Sequence, residues 1–408
     1  LSDPQATSRA EPPPVHGGAP LRAKLAPVLI LTGIFFVNFL GRIVLGPLLP
    51  VMEADLGLTH GEAGSLILLV TLGYCPAISC SGFVASRLTH RRTIVLSTLA
   101  VAVSLLVVCA SHSLWGIRLG LVLVGMSAGL YLASGMAALT RLVHAGDWGK
   151  AIAIHELAPN LGFIVAPFLA QALVGPLGWR GVLAVLAGAS LAGGWAFARF
   201  GKAGAFAGVA PTVRAVRALA SEGDFWIMVA VFSLGIGCSL GVYMMLPLYL
   251  VTERGWSLAW ANSAVALSRV SAVGMTFVAG WAADRLGART TMGGVFLFTG
   301  GLTILLGASP DGFLAPLVFL QPMLAVCFFP AAFSALSRVG SAELRGLAVA
   351  LTIPLAFLAG GGLVPAGIGY LGEVGSFSAA VMALGAIMVG GALLPRCLSL
   401  GGDGGRDG

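Results

Sequence analysis

The feature that most constrains this chain is a succession of apolar stretches, each about 20 residues or longer and almost free of charge. A helix needs roughly 20 apolar residues to cross the ~30 Å hydrocarbon core of a bilayer. Twelve segments meet that need: 24–50, 63–86, 93–111, 114–140, 149–174, 178–198, 225–251, 258–283, 290–308, 313–337, 345–371 and 377–395. Of the 408 residues, only 10% are charged and 58% are hydrophobic, against roughly 25% charged in a water-soluble domain. A chain this poor in charge cannot cover its surface in water, so lipid must be much of its solvent. The expected fold is an all-α membrane protein of twelve transmembrane helices, set out as two pseudo-symmetric six-helix bundles.

Charge then orients the chain. Twelve crossings put both ends on one side. Of the 23 Lys and Arg residues, all but five fall in the tails and in one set of alternating loops. Arg118, Arg180 and Arg254 fall in the opposite set, and Arg42 and Arg269 lie inside spans. The positive-inside rule makes both termini cytoplasmic, which in a bacterial cell means an inner-membrane protein. The same scatter argues against nucleic acid as the partner of the +7 net charge, because no basic patch forms. Cys75, Cys80, Cys109, Cys238, Cys327 and Cys397 sit mostly in apolar segments without metal-ligand spacing and read as packing residues.

The expected organisation is a disordered cytoplasmic tail over 1–23, a bundle over 24–200, a cytoplasmic linker over 201–224, a second bundle over 225–396 and a tail over 397–408. The linker holds Arg214 and Arg217 in a short amphipathic stretch suited to the inner membrane surface. An internal repeat supports the division. Shifting the chain by 198 residues lays Gly82-Phe-Val-Ala-Ser86-Arg87-Leu-Thr-His-Arg91-Arg92-Thr93 on Gly280-Trp-Ala-Ala-Asp284-Arg285-Leu-Gly287-Ala-Arg289-Thr-Thr291. The same shift lays Gly57 on Gly255, and Gly162 with Pro167 on Gly360 with Pro365.

The segment from Gly280 to Arg289 resembles the signature loop of the major facilitator superfamily, which lies between the second and third helix of each half. Gly162-xxx-Ala166-Pro167 and Trp179-Arg180 resemble further elements of that family. The resemblance covers nearly the whole chain and implies a secondary transporter working by alternating access. It assigns gating to Arg87, Arg91, Asp284, Arg285 and Arg289, through charge-assisted contacts that hold one access state and release in the other. The first loop copy has Ser86 where the acid usually stands. Phe36-Val-Asn38-Phe-Leu-Gly41-Arg42 resembles the anion and cation symporter branch, whose arginine binds a carboxylate; Gly41 replaces that branch's usual Asp.

Polar side chains inside apolar spans are costly and therefore informative. Arg42 lies roughly 25 Å along the first span at about 1.5 Å per residue, with Asn38 one turn earlier on the same face. Both can donate to one anionic ligand. Arg269, near the middle of the eighth span, is either a second cation for that ligand or a lock on a backbone carbonyl or on Glu156. Glu156, with Asn160 at i+4, and its neighbour His155 are the candidate proton carriers; ties to an arginine or packing are the alternatives. Tyr74, Tyr131, Ser239, Tyr243 and Gln321 could add polar contacts to the site or serve only in helix packing.

These residues point to a monomeric carrier of a small organic anion, expected to be a carboxylate, coupled to protons and needing no cofactor. A proton-driven exporter of drugs or metabolites is the alternative, and a receptor on a transporter fold is a third. No catalytic, metal or nucleotide motif stands in one place, so an enzyme is not expected.

Overall fold

A computed structural model of the chain describes residues 20–201, 203–208, 213–340 and 344–399. The expected tails fall mostly outside the described residues, and the first helix begins at Leu21, within the segment read as the N-terminal tail. Among the described residues, ten helices have the length and hydropathy to cross a membrane. One of them, Trp148–Phe200, is broken at Gly178 and supplies two spans. A further 29-residue helix, Leu258–Leu286, brings the number to twelve. In chain order the spans are α1 (Leu21–Leu56), α2 (His60–Leu88), α3 (His90–Ala110), α4 (Leu114–Leu142), α5 (148–177), α6 (179–200), α7 (Gly223–Thr252), α8 (Leu258–Leu286), α9 (Ala288–Ala308), α10 (Asp311–Leu336), α11 (Arg345–Val374) and α12 (Phe377–Cys397). A short helix, Val213–Ala220, lies in the linker and exposes Arg214 and Arg217. Gly178 makes the α5–α6 corner with φ of 65°, a conformation that a β-carbon would strain.

The repeat is structural as well as sequential. Gly57 and Gly255, 198 residues apart, both end a first-in-half helix with positive φ, of 62° and 66°. Thr59 and Ser257 both cap the next helix, accepting from the N–H of Glu62 and of Trp260. Thr89 and Gly287 both have positive φ before the third helix. At one end of the bundle, Asp55 accepts from Trp179 and Arg180, each at 2.8 Å, while its counterpart Glu253 accepts from the N–H groups of Phe377 and Ser378. At the other end, Arg91 donates to the carbonyls of Ala198 and Gly201, and Arg289 donates to that of Leu398. Each half thus ties its sixth helix down by the same two devices.

The halves meet along α1 with α7, α2 with α11, and α5 with α8. Glycines allow the close approach: a β-carbon on Gly46 would stand 3.1 Å from the Met244 backbone, and one on Gly64 would stand 2.8 Å from the Pro365 carbonyl. Packing is uneven along the seam. One apolar core runs across both halves from mid-bundle to the far end, opposite the chain termini. Towards the near end each half has its own core, one around Phe35 and Tyr131 and the other around Phe232 and Phe328. The far end is also joined by polar contacts between halves, from the Gly61 N–H to Glu373 at 3.1 Å and between the rings of His60 and Phe377 at 4.8 Å. The protein therefore stands closed at its far end and parted at its near end. Leu106, Val185, Leu191, Phe298 and Ile387 are exposed on the outside of the bundle, as a lipid-facing surface requires.

Candidate functional site

Arg42 reaches the seam because α1 bends just beyond it. Pro47 cannot donate to the Ile43 carbonyl and its ring crowds that group, so the helix loses its register at Val44. The Arg42 guanidinium carbon stands 4.2 Å from the ring centre of Tyr74 on α2 and 5.4 Å from that of Phe39. Its Nε is buried without a hydrogen-bond partner. Among the described residues no carboxylate pairs with it. The three far-end arginines differ sharply, each having its acid: Arg118 with Glu62 at 3.1 Å, Arg180 with Asp55 at 2.8 Å and Arg254 with Asp311 at 3.5 Å. The aromatic faces offset part of the cost of holding a cation here, and an anion would offset more.

A cavity of about 30 Å³ opens beside Arg42 between the halves, enough for ordered water. Phe39 and Ile43 of α1, Val70 and Thr71 of α2, Leu240 and Met244 of α7, and Phe357 of α11 form most of its wall. The second-half side of this wall is built from two π-helical segments, Gly237–Gly241 in α7 and Phe357–Leu363 in α11. They pack glycine against glycine: a β-carbon on Gly241 would come within 2.8 Å of the Gly360 carbonyl. Such segments widen a helix locally and recur at functional sites. Reading the sequence missed them, although Gly360-Gly361-Gly362 inside an apolar span was the available signal.

Arg269 does not line this cavity. Its guanidinium donates to the Ser239 carbonyl at 2.7 Å and the Ser239 hydroxyl at 3.2 Å, and lies over the rings of Phe163 and Tyr243 at 4.6 and 4.7 Å. Phe163 belongs to α5, so this cation of the second half is covered by an aromatic side chain of the first. Tyr243 closes the same junction by donating to the Phe163 carbonyl at 3.0 Å. Phe39 and Phe163 touch, with ring centres 5.2 Å apart. With the 5.4 and 4.6 Å steps on either side, the two guanidinium carbons are at most about 15 Å apart.

The other expected ligands divide. Tyr74 supplies the ring beneath Arg42 and faces Phe357 across the seam. Asn38 is buried, and its amide makes a long 3.5 Å contact to the Ala128 carbonyl on α4. Asn160 turns its amide back onto the Glu156 carbonyl at 2.8 Å, on an exposed part of α5. Gln321 sits inside the second half, donating to the Cys238 carbonyl at 2.8 Å and to Thr303 at 3.3 Å. It joins three helices of one half and faces no part of the cavity described here.

For the acid pair, the expectation of a poorly hydrated Glu156 is corrected: Glu156 is 48% exposed, and its neighbour His155 is fully buried. The carboxylate emerges where the halves have parted. The His155 ring lies nearly parallel to those of Phe35 and Tyr131, at 4.6 and 6.0 Å, and these two stack on each other at 5.4 Å. The roughly 100° offset between adjacent helical residues does not separate the two, since Nδ1 of His155 lies 3.6 Å from a Glu156 carboxylate oxygen. Proton positions follow from the partners. The Tyr131 hydroxyl donates its one hydrogen to the Leu31 carbonyl at 2.7 Å, so His155 Nε2, 3.1 Å away, must donate to Tyr131. In a neutral ring Nδ1 is then a bare acceptor, without a hydrogen-bond partner, facing a carboxylate.

Of the residues assigned to gating, Arg91 and Arg289 are engaged within their own halves, as described above. Arg87, Asp284 and Arg285 are exposed at the near end, and Arg285 lies 5.9 Å from the Trp281 ring.

Two six-helix halves closed at one end, with a charged cavity on the seam between them, define a membrane carrier. The sequence matches the Major Facilitator Superfamily over residues 31–352, and the chain belongs to that family. It is 28% identical over 149 residues to the quinolone resistance protein NorA of Staphylococcus aureus, a match that spans 36% of each chain. By fold it resembles a bacterial homologue of the human lysosomal transporter Spinster, with a TM-score of 0.80, 15% identity, and 94% and 98% of the two chains covered. A D-xylose–proton symporter gives a TM-score of 0.74 at 16% identity, covering 92% and 97%.

Proposed function

We propose that the protein carries a small organic anion, a carboxylate, across the membrane together with protons. Arg42 is the anion ligand, and the His155–Glu156 pair is the proton carrier. The observation that supports this most is Arg42 itself, a cation on the seam with an unpartnered buried nitrogen and no acid, in a chain whose far-end arginines all have acids. With the termini cytoplasmic, a placement the distribution of Lys and Arg supports, the far end is the outside and the conformation described faces inward. Arg87, Asp284 and Arg285, exposed at the parted end, would come together across the near end in the opposite state. Purified protein in liposomes should accumulate a labelled carboxylate when the anion and the proton gradient are imposed from the same side, and Arg42→Ala should abolish this. Equal uptake by the wild type and Arg42→Ala would end the proposal.

The second reading is a proton-driven exporter. It is favoured by the apolar wall around Arg42 and by the likeness to a protein named for quinolone resistance, though that match covers about a third of the relative. Cells with and without the gene separate the two readings: a changed drug-susceptibility profile with no carboxylate flux supports export.

A further inference from the structure

The wall around Arg42 offers a single formal charge, and beyond it hydrocarbon. Thr71 is the one other polar side chain on the wall, and its hydroxyl already donates to the Leu68 carbonyl at 2.8 Å. Phe39, Phe357, Leu240 and Met244 supply aromatic and aliphatic surface from both halves. The second-half residue at Arg42's repeat position is Leu240, so the repeat places no second cation opposite the first. Arg269, the one buried arginine among the described residues, donates to Ser239 and is covered by two rings. A dianion would therefore leave one carboxylate against an apolar surface without a counter-charge, which is strongly disfavoured. A short hydrophilic acid would leave the apolar wall unfilled.

Within the anion class proposed above, on which this rests, we infer that the substrate is an amphiphilic monoanion: one carboxylate for Arg42, and an aromatic or branched aliphatic body for the surrounding wall. The cavity is too small for such a molecule as it stands, so binding must part the α7 and α11 π-helical segments from Phe39. Selectivity arises from charge count together with apolar bulk.

The test is thermal stabilisation of the purified full-length protein by four probes: 3-phenylpropionate, phenylsuccinate, acetate and 3-phenylpropionamide. They keep or remove the ring, add a second carboxylate, or remove the charge. The expected result is an apparent affinity for 3-phenylpropionate at least tenfold above that for each of the other three, lost in Arg42→Gln. Leu240→Lys, which adds a cation at the repeat position, should raise the affinity for phenylsuccinate relative to 3-phenylpropionate. Phenylsuccinate or acetate binding as well as 3-phenylpropionate in the wild type would overturn this inference and leave the anion reading standing. No stabilisation by any of the three anions would overturn both, and preference for the amide would do the same in favour of the exporter. If Leu240→Lys fails to fold, the wild-type ranking decides.

Discussion

Replacing Glu156 by Gln removes the carboxylate that faces His155 Nδ1 at 3.6 Å while keeping the size of the side chain. The hydroxyl of Tyr131 still donates to Leu31, so Nε2 still keeps its hydrogen. The amide can turn its NH₂ towards Nδ1 and satisfy it without any added proton. The acid of the proposed proton carrier is thereby removed, and with it the proposed link between anion movement and the pH gradient. One pH unit corresponds to about 1.4 kcal/mol per proton, or tenfold in accumulation. For one proton carried with one monoanion, a gradient of about 1.5 units supports roughly 30-fold accumulation. In Glu156→Gln this ratio should fall to about one, while exchange of labelled for unlabelled anion at equal pH, which needs no net proton movement, stays within roughly threefold of wild type. Both quantities are read from the same liposome preparation. Tyr131→Phe frees Nε2 from its acceptor and lets the ring hydrogen move to Nδ1, so it should lower accumulation partway. Undiminished accumulation by Glu156→Gln would refute the proton assignment.

Three further outcomes test the framework around the site. Thr59→Ala breaks a capping box in which Thr59 and Glu62 each satisfy the other's backbone N–H at 3.2 Å; it should cost about 1 kcal/mol, seen as a fall of a few degrees in the melting temperature. Glu373→Gln weakens the one carboxylate that the second half sets on the N-terminus of α2; it should shift the population about two- to fivefold towards an open far end, measured by cysteine labelling from outside, and an unchanged labelling rate would remove Glu373 from the gate. Asp147, in the loop before α5, accepts from the Leu21 N–H at 3.0 Å, and this contact, followed by Lys150, holds its carboxyl below the usual range. A carboxyl depressed in the folded state stabilises above its unfolded value near pH 4 and loses that effect as pH falls through its folded value. The melting-temperature gap between wild type and Asp147→Asn should accordingly be widest near neutrality and close on acidification; a gap independent of pH would contradict this.

What could be read in advance is what the chain writes locally. Span lengths, the 198-residue offset and the cap and turn residues at Gly57, Thr59, Gly255 and Ser257 depend on neighbours within a few positions, and each recurs as a matching conformation in the structure. Which side of a helix meets the seam is not written locally, and that is where the reading strayed. Glu156 and His155 stand next to each other in one span, and depth alone does not say which of them is buried. The parted near end exposes the acid, while Phe35 and Tyr131, from α1 and α4, pack against the buried ring. Arg269 was legible as a costly cation, but its cover comes from Phe163, more than a hundred residues earlier in the chain. The π-helical segments were hidden for a related reason: runs such as Gly360-Gly361-Gly362 suit close packing of any two spans. Only the approach of Gly237 and Gly241 shows that in this chain the small residues let two widened helices share a wall with the cation. The candidate site is therefore placed by helices far apart in the chain, some paired within a half and one, through Arg269 and Phe163, paired between halves.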